Sequence, residues 1–273
     1  HDAYASGVIH AVAGGFALGV LVVLGPRIGK FEKNGQINII PAHNTWLVTV
    51  GLFLIYTGFW GFYAACNVPI YDVGADYGGG ESFFTATNIY LTPTTLSGIT
   101  ANFLMALSGG MMMAYLISKG DPFWTYSGGL AGIIVASAGN DLYSPLQALL
   151  IAAAGVSIVY KLHFWVEKRF QIDDAVGAVA VHGYAGVLGL ITCGFMLWGY
   201  PASAYYDSTI NPLGMIFGAF IMFGLLGFLP GWSVAKILQS FDCLRIPENV
   251  EALGLDYSHE GHRLSQNEDS ETG

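Results

Sequence analysis

Charge is scarce in this chain. Only 11% of its 273 residues are Asp, Glu, Lys or Arg, against about a quarter in an ordinary soluble domain. That argues against a soluble enzyme. With 53% hydrophobic residues and a mean hydropathy of +0.53, it also excludes a disordered chain, which needs low hydrophobicity and high charge. Basic residues are scarcer still. Ten Lys+Arg against 19 Asp+Glu, a net charge of −9, leave no footprint for a nucleic-acid partner. Cysteine is limited to Cys66, Cys193 and Cys243 with no Cys-x-x-Cys pair, so neither a disulfide framework nor a metal site is expected. No nucleophile–base motif, phosphate loop or haem signature occurs, so neither catalysis nor a cofactor is expected. No run alternates in the manner of a strand. The chain opens on His1 without the basic n-region or cleavage site of a signal peptide, and reads as processed or cut from something longer.

Long apolar runs are what the chain does have. A helix that spans a bilayer needs roughly 20 mostly apolar residues. Seven stretches qualify or come close: Tyr4–Leu24, Trp46–Cys66, Thr92–Ile117, the short Phe123–Ser137, Leu146–Val166, Ala175–Trp198 and Pro212–Ile237. The 37 glycines suit helices packed closely in a membrane. The expected fold is therefore all-α, a polytopic bundle of about seven transmembrane helices over residues 1–238. A polar tail, 239–273, follows, with its last stretch, Ser265–Gly273, expected to be flexible.

The few charges give the bundle a direction. Arg27, Lys30 and Lys33 follow the first run, Lys119 the third, Lys161, Lys168 and Arg169 lie toward the end of the fifth, and Lys236, Arg245 and Arg263 end or follow the seventh. The other loops carry Asp72, Asp76, Glu81, Asp141 and Asp207. By the positive-inside rule the basic side is cytoplasmic or its equivalent. The first helix then enters from outside and the C-terminal tail lies inside. The protein reads as a multi-pass membrane protein in contact with lipid, of a cell membrane by default, with an organelle's inner membrane as the other option.

Two histidines fall at membrane depth, His10 in the first run and His182 in the sixth. Each follows an aspartate by eight residues, Asp2 and Asp174. Both carboxylates stand at a helix start, where they meet the positive end of the dipole and free N–H groups. Eight residues are roughly 12 Å of helix. Because the two helices run in opposite directions, the histidines come within roughly 6 Å in depth in a core of about 30 Å. Oppositely directed copies of one pattern suggest an inverted repeat with a site near the midplane. Paired neutral imidazoles can each donate from one nitrogen, accept at the other, and share a proton. The Asp173-Asp174 pair reads as helix capping rather than an acid/base dyad. His43 and His163 are expected at the basic-side interface, and His259 and His262 in the tail carry no metal expectation.

The same residues carry a resemblance. Gly25-Pro-Arg-Ile-Gly29, Pro41-Ala-His-Asn44, Gly58-Phe-Trp-Gly-Phe-Tyr-Ala-Ala-Cys66, Asp174 through His182-Gly-Tyr-Ala-Gly186, and Gly254-Leu-Asp-Tyr-Ser-His-Glu-Gly261 resemble, in order, segments of the ammonium transporter/Rhesus (Amt/Mep/Rh) family. The resemblance covers only that family's helices five to eleven of eleven. It implies part of an inverted-repeat transporter fold and ammonium/ammonia as substrate. It places His10 and His182 as a twin-histidine pore that deprotonates ammonium and relays the proton, and Phe62 as a gate aromatic. Cys66 falls where the family has a serine that bonds incoming ammonium; a thiol is a weaker partner. Asp2 and Asp174 fall at structural carboxylates near the pore. The resemblance also implies a homotrimer, or a companion chain that supplies the first helices. The alternative is a non-conducting structural or sensor subunit of a larger membrane complex that keeps the fold.

Overall fold

The computed structural model describes residues 1–66, 95–202 and 208–254, together with the backbone of 88–89 and 92–93. It is helical almost throughout. In chain order the elements are α1 (Ser6–Leu24), α2 (Thr45–Cys66), a two-residue antiparallel pair β1 (Asn88–Ile89) and β2 (Thr92–Pro93), α3 (Leu96–Ser118), α4 (Pro122–Ser137), α5 (Pro145–Phe170), α6 (Val179–Met196), α7 (Pro212–Ser240) and α8 (Glu248–Leu253). All seven expected runs are helices. Six of them, all but α4, are long and apolar enough to cross a membrane. The protein is an integral membrane protein of the all-α class.

Local chemistry sets the ends. Leu24 is followed by Gly25 at φ 77° and then Pro26, which cannot continue a helix. Asp121, Ser144 and Asn211 each accept a backbone N–H of the first turn ahead of a Pro at the first helical position of α4, α5 and α7. Ser144 and Gln147 complete a capping box. Two boundaries differ from expectation. The third helix begins at Leu96, because Thr92 pairs with Ile89 in the short ladder. The sixth begins at Val179, because Asp174–Gly177 forms a turn first.

α4 has 16 residues, roughly 24 Å of helix, less than the core thickness. Residues Ser127 to Ser137 are all buried, so α4 is the bundle's internal helix. α3 and α5 pack along it. Much of α2 faces outward: Trp46, Leu47 and Leu54 are among its exposed residues.

α1 and α6 cross in antiparallel fashion. The start of α1 packs on the later part of α6, and the start of α6 on the later part of α1. A Cβ on Gly14 would fall on the backbone of Gly183, and one on Gly186 on the backbone of Ser6 and Ala11. Without side chains at these points the two backbones approach closely enough to bring their residues face to face.

Candidate functional site

The helix starts that carry the two histidines share one unusual construction. Each begins with a π-helical segment, Ser6–Ala11 in α1 and Val179–Tyr184 in α6. Such turns are rare and recur at functional sites. The His10 N–H donates to the Ala5 carbonyl five residues back (3.3 Å). Ahead of each segment stands a residue in the left-handed region, Ala5 at φ 64° and Gly177 at φ 68°. Gly177 takes that conformation freely, whereas Ala5 bears a cost of roughly 1–2 kcal/mol.

The aspartates cap these segments. Asp2 Oδ2 accepts from the N–H groups of Gly7 (2.9 Å) and Val8 (3.0 Å), and Asp174 Oδ2 from that of Ala180 (3.1 Å). The other oxygen of each, Oδ1, is buried without a hydrogen-bond partner. Burial raises the Asp2 carboxyl above its ordinary value, against the three backbone N–H groups around it. Asp173 does different work from its neighbour. It accepts from Arg27 Nε (2.7 Å), Arg27 Nη2 (2.8 Å) and the Arg27 N–H (3.0 Å). Burial alone would raise this carboxyl, but the Arg27 bonds carry it below the ordinary range. The pair ties the end of α1 to the approach to α6, and Lys30 to Glu167 (2.6 Å) ties the loop after α1 to the end of α5.

The imidazoles meet. His10 Nδ1 lies 3.0 Å from His182 Nδ1, with ring centroids 5.2 Å apart and planes 14° from parallel. His10 is buried and His182 half-buried. A bond between two Nδ1 atoms requires one ring to donate and the other to accept, and either can do so. The donor ring then has a bare Nε2 and the acceptor ring an Nε2–H. The pair presents a proton acceptor at one end and a donor at the other, and a proton passed through it from end to end reverses the sense.

Aromatic rings form the adjoining wall. Phe59 stacks on His10 with centroids 5.2 Å apart and planes 18° from parallel. Phe62 packs edge-on against Phe59 at 5.8 Å, in the next layer. Tyr63 is fully buried, stacks on Tyr4 at 3.9 Å, and its hydroxyl lies 2.7 Å from Ser137 Oγ. Trp60 donates Nε1–H to Thr100 (3.1 Å). Cys66 ends α2, half-buried against the core one turn past Phe62. The sequence places Phe59 with Trp60, Phe62 and Tyr63 in an aromatic vestibule and Phe62 as the gate, but the contact of Phe59 with His10 depends on how α2 lies against α1. His163 faces the bundle interior near the end of α5. It is buried, set edge-on to Trp124 at 4.8 Å, with Nδ1 3.7 Å from Asp174 Oδ2. His43 is exposed. Among the described residues no group of three or more His, Cys, Asp or Glu could hold a metal ion. Asp72, Asp76, Glu81, Asp207, His259 and His262 lie outside the described residues.

A profile of the Ammonium Transporter Family matches residues 1–263. The chain belongs to this family. Ammonium transporter Amt2 of Methanocaldococcus jannaschii is 33% identical over 261 residues, covering 94% of this chain and 54% of its own length. Amt1 of the same organism is 30% identical, covering 94% and 59%. Among solved structures, one described as a Sensor Amt Protein aligns with a TM-score of 0.77 at 25% identity, over 94% of this chain and 59% of that one. The Rh50 protein of Nitrosomonas europaea shares the fold, with a TM-score of 0.62 at 17% identity over 99% and 65% of the two chains. The chain thus spans little more than half the length of the curated relatives it matches.

Proposed function

We propose that the protein moves ammonium across a membrane as ammonia and a proton, through a path that passes the His10–His182 pair. The observation that carries this reading is the 3.0 Å contact between two ring nitrogens on oppositely directed helix starts. Charge is costly in hydrocarbon: insertion scales alone assign roughly 2.5–3.5 kcal/mol to a charged side chain at the bilayer centre. Separating ammonium into a neutral molecule and a relayed proton avoids moving the intact ion through an apolar constriction. The polarity of the imidazole pair suits that task. A proton taken up at the bare Nε2, the shift of the shared proton from one Nδ1 to the other, and release from the opposite Nε2–H together pass one proton through the pair and leave its donor and acceptor ends exchanged, so each ring must return to its first tautomer before the next passage.

The remaining residues take supporting roles in this reading. Phe59 holds the His10 ring in plane, Phe62 forms the aromatic gate, and Cys66 stands at the outer ammonium site as a weak hydrogen-bond partner. Asp2 and Asp174 position the histidines through the helix starts they cap. A homotrimer, or a companion chain that supplies further helices, completes the pathway, and the basic side with the C-terminus faces the cytoplasm or its equivalent. The curated relatives are named as ammonium transporters, which does not favour the non-conducting subunit. The test is the current evoked by an ammonium pulse on membranes holding the complete assembly. His10→Leu and His182→Leu should each abolish it while the protein still folds; an unchanged current in either would overturn the relay.

A further inference from the structure

Besides the His10–His182 pair, one further histidine among the described residues is buried in the bundle: His163 on α5. It lies seven residues before Phe170, the last residue of α5, roughly 10 Å of helix from the basic-side end. Two aromatic edges fix its ring, Trp124 from α4 at 4.8 Å and Phe164 at 5.0 Å. Its Nδ1 stands 3.7 Å from Asp174 Oδ2, within ion-pair range and slightly longer than a hydrogen bond. Proton-transfer partners at rest often stand at such distances and tighten only during transfer.

Asp174 precedes His182 by eight residues in the chain but stands much nearer to it in space. Its Oδ2 accepts from the Ala180 N–H at 3.1 Å, and Ala180 lies two residues, roughly 3 Å of rise, before His182. The carboxylate is therefore about 6–7 Å from His182 along the helix, a gap that one water bridges. Its Oδ1 is buried without a hydrogen-bond partner, which is costly for a carboxylate and less so for a carboxyl that holds a proton. On the other side of His163, Glu167 follows one turn later on the same face of α5 and pairs with Lys30 of the loop after α1. Asp174, Glu167 and Lys30 are the charged groups around His163 among the described residues. Asp173 is taken by Arg27, and α4 meets the ring with Trp124, whose N–H the exposed Asp121 caps.

We propose that His163 is the basic-side proton station of the histidine pair. The inference rests on the relay proposed above and names the residue that receives its proton. For a proton passing from His10 to His182, the N–H bond at His182 Nε2 breaks, and a bridging water hands the proton to Asp174. An O–H bond forms at that carboxyl and breaks as His163 Nδ1 takes the proton. The imidazolium so formed releases its Nε2 proton to water on the basic side, past Glu167. Asp174 ends as the carboxylate it was. His163 ends neutral with its proton on Nδ1 instead of Nε2, and returns to its first tautomer before the next passage. Imidazole suits this place because it takes a proton at one nitrogen and gives one from the other near neutral pH.

His163→Asn tests this, because the amide reaches the place of Nδ1 and keeps the contact with Asp174 but passes no proton on. The measurement is the ammonium-evoked current of the complete assembly, with the basic-side pH varied between about 5 and 8, the range in which histidine titrates. Proton transfer by a positioned side chain is worth at least about a hundredfold, so the current should fall by about that factor and lose its dependence on basic-side pH. His163→Gln gives the same reading should the shorter amide disturb folding, and Trp124→Phe, which keeps an aromatic edge on the ring, should leave current and pH dependence unchanged. A current lowered by one factor at every pH, with the pH dependence intact, is the mark of a structural role and would overturn the station. His10→Leu, measured alongside, separates the two readings. If it abolishes the current and neither His163 variant alters it, the pair relays without His163; if it leaves the current unchanged, the relay falls and the station with it.

Discussion

Gly14→Ala tests the contact on which the imidazole pair depends. Gly14 lies one turn beyond His10, and a methyl there would fall on the backbone of Gly183, the residue after His182. Backbone cannot rotate aside as a side chain can, so α1 and α6 must separate. The added carbon would lie 2.0–2.1 Å from Gly183 N and Cα, so restoring ordinary contact distances needs a shift of about 1.5 Å. Overpacking of this kind costs about 1–3 kcal/mol, and a clash between two backbones belongs at the upper end. The helix preference of Ala over Gly returns about 0.5–1 kcal/mol, leaving a net loss of about 2 kcal/mol. The same shift stretches the 3.0 Å Nδ1–Nδ1 contact to about 4.5 Å, beyond hydrogen-bond range. Gly218→Ala is the control: nothing lies within 4 Å of its added Cβ, so it should be neutral or stabilising by up to about 1 kcal/mol. Melting followed by tryptophan fluorescence in detergent, with ammonium-evoked current measured in parallel, reads both effects. If Gly14→Ala melts and conducts like the unaltered protein, the α1–α6 crossing does not hold the histidines together.

Three further substitutions probe other parts of the bundle. Asp173→Asn should cost about 1–3 kcal/mol, because it leaves Arg27 short of its buried partner while Arg27 itself stays partly solvated. The native pKa of Asp173 is depressed, so its contribution is complete above the ordinary value of 3.8 and is lost as the pH falls through the lower native value; acid melts should show that loss in the unaltered protein and not in the variant. Arg245→Ala removes bonds to Glu251 and to the carbonyls of Leu24 and Pro26, and should speed hydrogen exchange in α8 and at Ile28, whose N–H donates to Glu251, with little change in global melting. In the proposed ammonium path, Cys66→Ser replaces a weak partner by a hydroxyl worth about 1 kcal/mol of added hydrogen bonding, and should lower the ammonium concentration for half-maximal current about fivefold; no change would overturn the proposed role of Cys66.

Some of this protein was determined by the sequence by itself. The apolar runs demand helices because a backbone in lipid must satisfy its own hydrogen bonds. The ten cations gather toward one side of the bundle in the sequence, and the matched Asp–His spacings mark the two helix starts. These are local properties, set by hydropathy, dipole and residue order. Only the tertiary structure decided the rest. It assigned Asp173 to Arg27 and Asp174 to capping, although the two are neighbours in the chain. It buried His163 beside Trp124 and laid Phe59, rather than Phe62, on the His10 ring. It also brought two nitrogens from residues 172 positions apart to 3.0 Å. Those outcomes depend on how closely two backbones pass at Gly14 and Gly183 and on which face each helix turns inward, and spacing along one helix carries no information about its distance from another.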